Sequence, residues 1–208
     1  KSRNAMLVGS GSGKTSVINT YIHSLDKDAD GFLTHGINMS YYTDSKSLQG
    51  DIELPIDKRS GRRYGPPASK RLIVFIDDLN LPYIETYGTQ NAIALLTQHM
   101  TYGTIFDRLD LGLRKELVDI QYMSALNPTA GSFLVCERAQ RLFCTFACIM
   151  PSQQDLTTIF HSLFAGYVDG GFSQQIVDSA TKIVDASLHL YEAISKKFLP
   201  SAVKFTYN

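Results

Sequence analysis

The sequence has no surplus of charge of either sign. Its 208 residues contain twenty Lys and Arg and twenty Asp and Glu, so the formal net charge is zero. Long-range attraction to nucleic acid or to an anionic membrane is not expected, because both depend on positive charge. No apolar run reaches the roughly 18 residues that a membrane-spanning helix needs. The sequence therefore predicts no nucleic-acid partner and no membrane partner.

Cysteine is also scarce. The three cysteines, Cys136, Cys144 and Cys148, are odd in number and lie close together in the sequence. This pattern does not fit a disulfide framework and indicates a reduced, intracellular protein. None of the five histidines lies near these cysteines, so a metal site there is not expected. The 44% of hydrophobic residues is enough for a packed core, and such a composition is not that of a disordered chain.

Short apolar runs alternate with helical patterns over the first 150 residues, which predicts an α/β fold with a largely parallel sheet. The predicted strands are about Ala5–Val8, Ile37–Tyr42, Arg71–Asp77, Val118–Leu126 and Leu142–Met150. Helices are predicted near Lys14–Ser24, Ser45–Asp57, Thr89–Met100, Gln153–Phe164 and Ser173–Phe198, and a loop or hairpin over Lys58–Lys70. We expect an α/β domain at 1–150 and a helical domain at 151–208, both cut from a longer polypeptide.

A glycine-rich loop joins the first predicted strand to the first predicted helix. It consists of Gly9, Ser10, Gly11, Ser12, Gly13, Lys14 and Thr15, followed by Ser16. Glycines let backbone N–H groups converge on a phosphate, and the helix N-terminus adds partial positive charge. Lys14 would reach the β- and γ-phosphates, and the Thr15 hydroxyl would ligate Mg²⁺. The segment predicts an ATP or ADP site.

The loop is one residue shorter than the usual phosphate-binding pattern. Three residues separate Gly9 from Gly13, where four are usual. A shortened loop would still hold a nucleotide, but less well around the β-phosphate. A glycine-rich turn without a ligand is the alternative.

Polar side chains follow three later elements. Asp77 and Asp78 end a buried strand, where the first acid would hold Mg²⁺ and the second would polarise an attacking water. Asn127 ends the next long strand and could bond a phosphate or that water. Arg138 and Arg141 lie three residues apart, so they share one face of a short predicted helix. Each feature has an alternative interpretation without a ligand. The acid pair would belong to an Asp-Asp-Leu-Asn turn, Asn127 to an Asn-Pro turn, and the two arginines to the solvated surface.

These segments together resemble the AAA+ modules of dynein heavy chains. The resemblance rests on the phosphate loop and on four further segments, Gly61–Pro67 with Lys70, Phe75–Pro82 with Tyr87–Gln90, Ala125–Phe133 and Arg138–Phe143. It is strong over about residues 5–150 and weak over the helical tail. The match looks most like the third of six ring modules, in the axonemal type.

The resemblance implies a fold and a set of roles. The fold would be a five-stranded parallel sheet of order 5-1-4-3-2 flanked by helices, followed by part of a helical small subdomain. Residues 9–16 would bind ATP or ADP, and Thr15 and Asp77 would bind Mg²⁺. Asp78 would take the catalytic acid position and Asn127 that of the first sensor. Arg138 and Arg141 would act on the nucleotide of a neighbouring module.

The resemblance also implies a cellular setting. Dynein heavy chains are ATP-driven motors that move toward microtubule minus ends, so the partners would be neighbouring modules, microtubules and other dynein chains. The location would be the cytoplasm and cytoskeleton, in the axoneme of a cilium or flagellum. This module would regulate the motor and hydrolyse ATP slowly, because its loop is short and Asp78 stands in place of glutamate.

The sequence departs from the family pattern at several further points. Ala139 and Leu142 replace the more typical residues of the arginine segment, and Lys204–Asn208 stops before a second sensor arginine. Two other functions stay open at this point. One is a structural ring module whose site is empty or always filled with ADP. The other is a small-molecule kinase, with Arg59, Arg62 and Arg63 in a lid.

Overall fold

The computed structural model describes residues 3–25, 31–128, 135–168 and 171–198. The chain divides into two compact units, Lys1–Cys148 and Ile149–Asn208. That the second unit is an incomplete small subdomain stays a prediction.

The first unit contains nine strands and four α-helices within its described residues. In chain order they are β1 Asn4–Val8, α1 Lys14–Ser24, β2 Phe32–Asn38, α2 Ser45–Glu53, β3 Asp57–Ser60, β4 Arg63–Gly65, β5 Arg71–Asp77, α3 Asn91–Tyr102, β6 Thr104–Phe106, β7 Arg114–Leu117, β8 Ile120–Leu126, α4 Glu137–Gln140 and β9 Phe143–Ala147. The second unit contains α5 Gln153–Val168 and α6 Gln174–Lys197, which pack against each other.

The main sheet has five parallel strands in the order β2-β5-β8-β1-β9. The α/β class, the five parallel strands and the strand order are therefore confirmed. Because all five strands run the same way, the ends of β1, β5 and β8 meet at one edge of the sheet. The phosphate loop, the two aspartates and Asn127 follow these three strands, so the topology brings them to that edge.

Helices cover both faces of the main sheet because β5 is apolar on both. Leu72, Val74 and Ile76 belong to the larger core, which also contains residues of α2 and α3. Phe75 lies on the opposite face, where it packs with Ile18 and Ile22 of α1. This arrangement buries the strand that carries the aspartates and fixes its position.

The predicted position of the second strand is wrong. Ile37–Tyr42 was predicted, but β2 runs from Phe32 to Asn38. Ile37 and Met39 are buried while Asn38 and Ser40 are exposed, so a strand-like alternation continues past the end of the pairing. Residues 40–43 instead form a turn, in which Thr43 N–H donates to the Ser40 carbonyl at 3.1 Å.

A second, four-stranded sheet of order β3-β4-β7-β6 was not predicted beyond the hairpin at residues 58–70. The Lys115 ammonium joins it to α2, because Nζ lies 2.9 Å from a Glu53 carboxylate oxygen and 2.7 Å from one of Asp107. The bond from Lys115, together with the bonds from the N–H groups of Leu109 and Asp110, lowers the pKa of Asp107 to about 2. Arg108 adds bonds to Gln49 and Ser45, both at 2.9 Å.

Within the described residues, no helix combines the length and apolarity needed to cross a membrane.

We expect acid to destabilise the first unit, because it contains a buried neutral histidine, His99. His99 is 6% exposed, and its Nδ1 lies 2.7 Å from the Tyr122 hydroxyl. Burial lowers the pKa of His99, against a smaller opposing effect of the Leu117 carbonyl. Burying the neutral His99 ring therefore contributes its full share of folding stability above the unfolded pKa of about 6.5. That stability is lost as the pH falls below this value, because the unfolded chain then binds a proton that the folded chain does not.

We expect the free energy of unfolding to fall below about pH 6.5 by up to about 1.4 kcal/mol per pH unit. Urea unfolding between pH 5 and 8 measures it. The matched variant His99→Gln has no titrating ring, so its stability should change less over this range. Asp107 does not interfere, because its lowered pKa affects stability only below about pH 4. Parallel pH profiles for the two proteins would contradict the prediction.

Candidate functional site

The phosphate loop turns sharply between β1 and α1. Gly11 and Gly13 have φ of 60° and 71°, in the left-handed region that favours glycine. Gly13 is the N-cap of α1 and offers no side chain to cap it, and the first turn of the helix has no acidic residue. The first N–H groups of a helix have no partner within the helix. Those of Lys14, Thr15 and Ser16 are therefore suited to an anion.

Two side chains complete this cradle. The Lys14 ammonium folds over the loop and donates to the Gly9 carbonyl at 2.5 Å. Ser12 Oγ is buried and has no hydrogen-bond partner among the described residues. A buried hydroxyl without a partner is costly unless a ligand or water satisfies it. The glycines, the ammonium and the orphaned hydroxyl fit a phosphate group.

Gly9 is required by close packing and not by its backbone angles. The Cys148 N–H donates to the Val8 carbonyl at 2.7 Å, and the Gly9 N–H donates to the Leu126 carbonyl at 3.2 Å. A Cβ on residue 9 would lie 2.0 Å from the Cys148 carbonyl oxygen. The start of the loop is thus held between the ends of β8 and β9.

The two aspartates lie at the end of β5. Asp78 has a φ of 52°, in the left-handed region that Asp tolerates better than most residues. Its N–H donates to Asp77 Oδ1 at 3.0 Å, and the next residue, Leu79, donates its N–H to the Ala125 carbonyl at 3.1 Å. These bonds fix the turn that carries both carboxylates against β8.

The charges of this edge act on one another. Partial loss of solvent raises the pKa of Asp78, the charge of Asp77 raises it further, and the Lys14 ammonium opposes the change. The structure therefore brings Lys14 of the loop near the aspartate pair. Carboxylate and hydroxyl oxygens are the hard ligands that Mg²⁺ prefers, so the side chains of Asp77 and Thr15 carry the donor atoms that suit this ion. Within the described residues there is no group of three or more His, Cys, Asp or Glu that could hold a metal.

Asn80 is a residue of the site that the sequence did not single out. It is 1% exposed, and its Nδ2 donates to the Asn127 carbonyl at 3.0 Å. It thereby fixes the end of β8, where the predicted sensor Asn127 lies half-buried. In the sequence, the feature that could have identified Asn80 is its position as a polar residue two places after the acid pair.

The two arginines lie on α4 and at its end. Arg138 and Arg141 are both exposed. Arg138 borders a cavity of about 310 Å³ together with Gln90, Ile93 and Thr97 of α3 and the segment before it. Their predicted action on a neighbouring module stays a prediction, as do the nucleotide, metal and catalytic roles of the residues above. Residues 129–133 of the sensor segment, and 204–208, lie outside the described residues.

Comparison with known proteins identifies the family. The model of the P-loop containing dynein motor region matches residues 1–151. A ciliary dynein beta chain of Tripneustes gratilla is 40% identical over 209 residues, covering 100% of this chain and 5% of that relative. Human dynein axonemal heavy chain 17 is 40% identical with the same coverage. A flagellar outer arm beta chain of Chlamydomonas reinhardtii is 40% identical over 207 residues, covering 98% and 4%.

The chain spans about 5% of the length of these relatives. Their names place them in cilia, axonemes and flagella, in agreement with the axonemal type that the resemblance predicted. The family is thus confirmed on three quarters of the chain by the family model, and over its whole length by the relatives. The chain belongs to the P-loop containing dynein motor region family.

Proposed function

We propose that this chain is an ATP-binding AAA+ module of an axonemal dynein heavy chain, a motor that moves toward microtubule minus ends. The observation that carries the proposal is that the phosphate loop and the pair Asp77–Asp78 lie at one edge of the parallel sheet, where the Lys14 charge acts on Asp78. A phosphate cradle beside a carboxylate pair is the arrangement that Mg²⁺-dependent phosphoryl transfer needs. The loop geometry supports it, since the first turn of α1 presents N–H groups that have no partner within the helix.

Each residue has a proposed role. Residues 9–16 bind the phosphates of ATP or ADP through the N–H groups that follow Gly9, and the Lys14 ammonium exchanges its bond to the Gly9 carbonyl for one to a phosphate. Thr15 and Asp77 hold Mg²⁺, which when bound neutralises phosphate charge. Asp78 orients the attacking water, and Asn127 bonds that water or the terminal phosphate. Arg138 and Arg141, exposed on the surface, act on the nucleotide of the next module.

We further propose that this is the third module of the ring and that it regulates the motor. Asp78 is one methylene shorter than glutamate, so it holds the attacking water poorly, and hydrolysis is slow. Occupancy of the site then biases the ring toward one of two states by the difference in nucleotide affinity between them. The partners are neighbouring modules, microtubules and other dynein chains, and the place of action is the axoneme.

The Asp78 position offers the direct test of slow hydrolysis. We expect Asp78→Asn to change the ATPase rate little, since little hydrolysis occurs at this site, and Asp78→Glu to raise single turnover. Misplacing a general base typically costs about 10²–10⁴ in rate. Asn tolerates the left-handed backbone of residue 78 as Asp does, so Asp78→Asn is the less disruptive variant. Single-turnover ATP hydrolysis is measured in the full motor with the first module inactivated.

The control for this test is Asp77→Asn, which should weaken Mg²⁺-dependent nucleotide binding. Fast single turnover that Asp78→Asn eliminates would show a competent catalytic site and overturn the regulatory role. Absence of nucleotide exchange in every variant would instead favour a structural module that always holds ADP.

A further inference from the structure

A cavity lined by tyrosines lies outside the phosphate loop. Its volume is about 410 Å³, and its described lining consists of Tyr41, Tyr42, Thr43, Asp44, Tyr83, Glu85 and Asn91. We name it the tyrosine cavity. None of these residues has a role in the proposed nucleotide site. The three tyrosines are 46%, 87% and 48% exposed, which leaves much of each ring uncovered.

The tyrosines form one ordered group. The ring centroid of Tyr41 lies 5.3 Å from that of Tyr42 and 5.4 Å from that of Tyr83, with interplanar angles of 85° and 65°. Edge-to-face pairs of this kind are favourable. The backbone holds the two loops together as well, because Tyr83 N–H donates to the Tyr41 carbonyl at 3.1 Å. The rings are thus presented by a fixed framework and leave aromatic faces open.

The charge of the tyrosine cavity is negative. Asp44 and Glu85 line it, and none of its described lining residues is basic. Asp44 uses Oδ1 to accept from the N–H groups of Lys46 and Ser47, and Glu85 uses Oε1 to accept from Asn91. Among the described residues no hydrogen bond or ion pair engages the second oxygen of either carboxylate. Each carboxylate can therefore still accept from a ligand.

We propose that the tyrosine cavity binds an arginine side chain presented by another polypeptide segment. A guanidinium group stacks on tyrosine faces and donates in a planar fork to carboxylates. Open aromatic faces beside two available carboxylates match both properties. A lysine ammonium would use the charge but not the planar stacking, so arginine is the better fit. The inference does not depend on the proposed nucleotide site.

The position of the tyrosine cavity gives such a contact a consequence. Tyr41 follows β2 and Tyr83 follows β5, the strand that ends in the aspartate pair. The Met39 N–H donates to the Asp77 carbonyl at 3.1 Å, and the Leu81 N–H to the Asp78 carbonyl at 3.0 Å. The loops that line the cavity are therefore bonded to the residues that carry the two carboxylates. An arginine seated there contacts loops whose backbones are bonded to the turn at Asp78.

The test is a titration of the ¹⁵N-labelled 208-residue chain with N-acetyl-arginine N-methylamide, followed by NMR. We expect saturable shifts of the amides of Tyr42, Asp44 and Glu85. The citrulline analogue has the same shape without the charge and should bind at least about threefold more weakly. Tyr42→Ala should weaken arginine binding about threefold, and Tyr42→Ala combined with Glu85→Gln about tenfold.

Two controls make the result specific. Tyr42→Phe keeps the aromatic face and should retain wild-type affinity, while Tyr21→Ala removes an exposed tyrosine of α1 and should have no effect. The spectra also show that each variant is folded. Equal binding of arginine and citrulline, unchanged affinity in the folded double variant, or stronger binding of adenosine at the same amides would each overturn the proposal.

Discussion

Lys14→Ala is expected to abolish measurable nucleotide binding while leaving the fold intact. Among the described residues the Lys14 ammonium makes one hydrogen bond, to the Gly9 carbonyl, and its proposed role is to bind a phosphate. Loss of charge-assisted bonds to phosphate should reduce affinity on the order of 100-fold. Equilibrium titration with a fluorescent ATP analogue, with and without Mg²⁺, measures the effect.

The matched control is Lys46→Ala, which removes an exposed lysine from the first turn of α2. It should leave nucleotide affinity and thermal stability unchanged. Lys14→Ala should also unfold at nearly the wild-type temperature, because the lost bond is a single partly exposed one. Unchanged affinity in Lys14→Ala would mean that the glycine loop is only a turn.

The second large effect is expected from Gly9→Ala, which should destabilise the first unit by about 3 kcal/mol or more. The added Cβ would lie 2.0 Å from the Cys148 carbonyl oxygen, a distance that backbone atoms cannot accept without moving. Either β9 must shift away from β1, or the phosphate loop must change its path. Urea unfolding followed by circular dichroism measures the loss.

Substitutions at two other glycines distinguish the effect of a steric clash from that of backbone strain. Gly13→Ala meets no atom within 4 Å but has a φ of 71°, so it should cost about 1–2 kcal/mol. Gly50→Ala lies in α2 with open space around it, and it should stabilise by about 0.5–1 kcal/mol. If Gly9→Ala were no worse than Gly13→Ala, the packing of Gly9 against Cys148 would not be a constraint.

The main sheet was predictable because its central strands carry strong signals. Leu72–Ile76 is apolar at every position, which only a strand covered on both faces requires. The site followed from the same signals, since Asp77 and Lys14 each come directly after a strand or its loop. The sequence patterns predict where each of these strands ends. Because the strands are parallel, their ends lie together at one edge of the sheet.

The remaining elements lack a hydrophobic period that could identify them. β2 is an edge strand in which Thr34 and His35 interrupt the apolar residues, so the alternation from Ile37 onward was the stronger but misleading signal. β3 and β7 are four residues long and mostly charged. The sheet is completed by the pairing of β4 with β7, which joins residues about 50 positions apart, such as Arg63 with Glu116, and no local pattern records such a pairing.

The contact between Gly9 and Cys148 also has a mechanical meaning. Cys148 is the last residue of the first unit, so the backbone leaves that unit directly from the residue whose carbonyl packs on the loop. Tension applied to the chain beyond Cys148 reaches Gly9 through one carbonyl and one N–H bond to Val8. A displacement of the end of β9 would therefore displace the start of the glycine-rich loop, because no space separates the two backbones at Gly9.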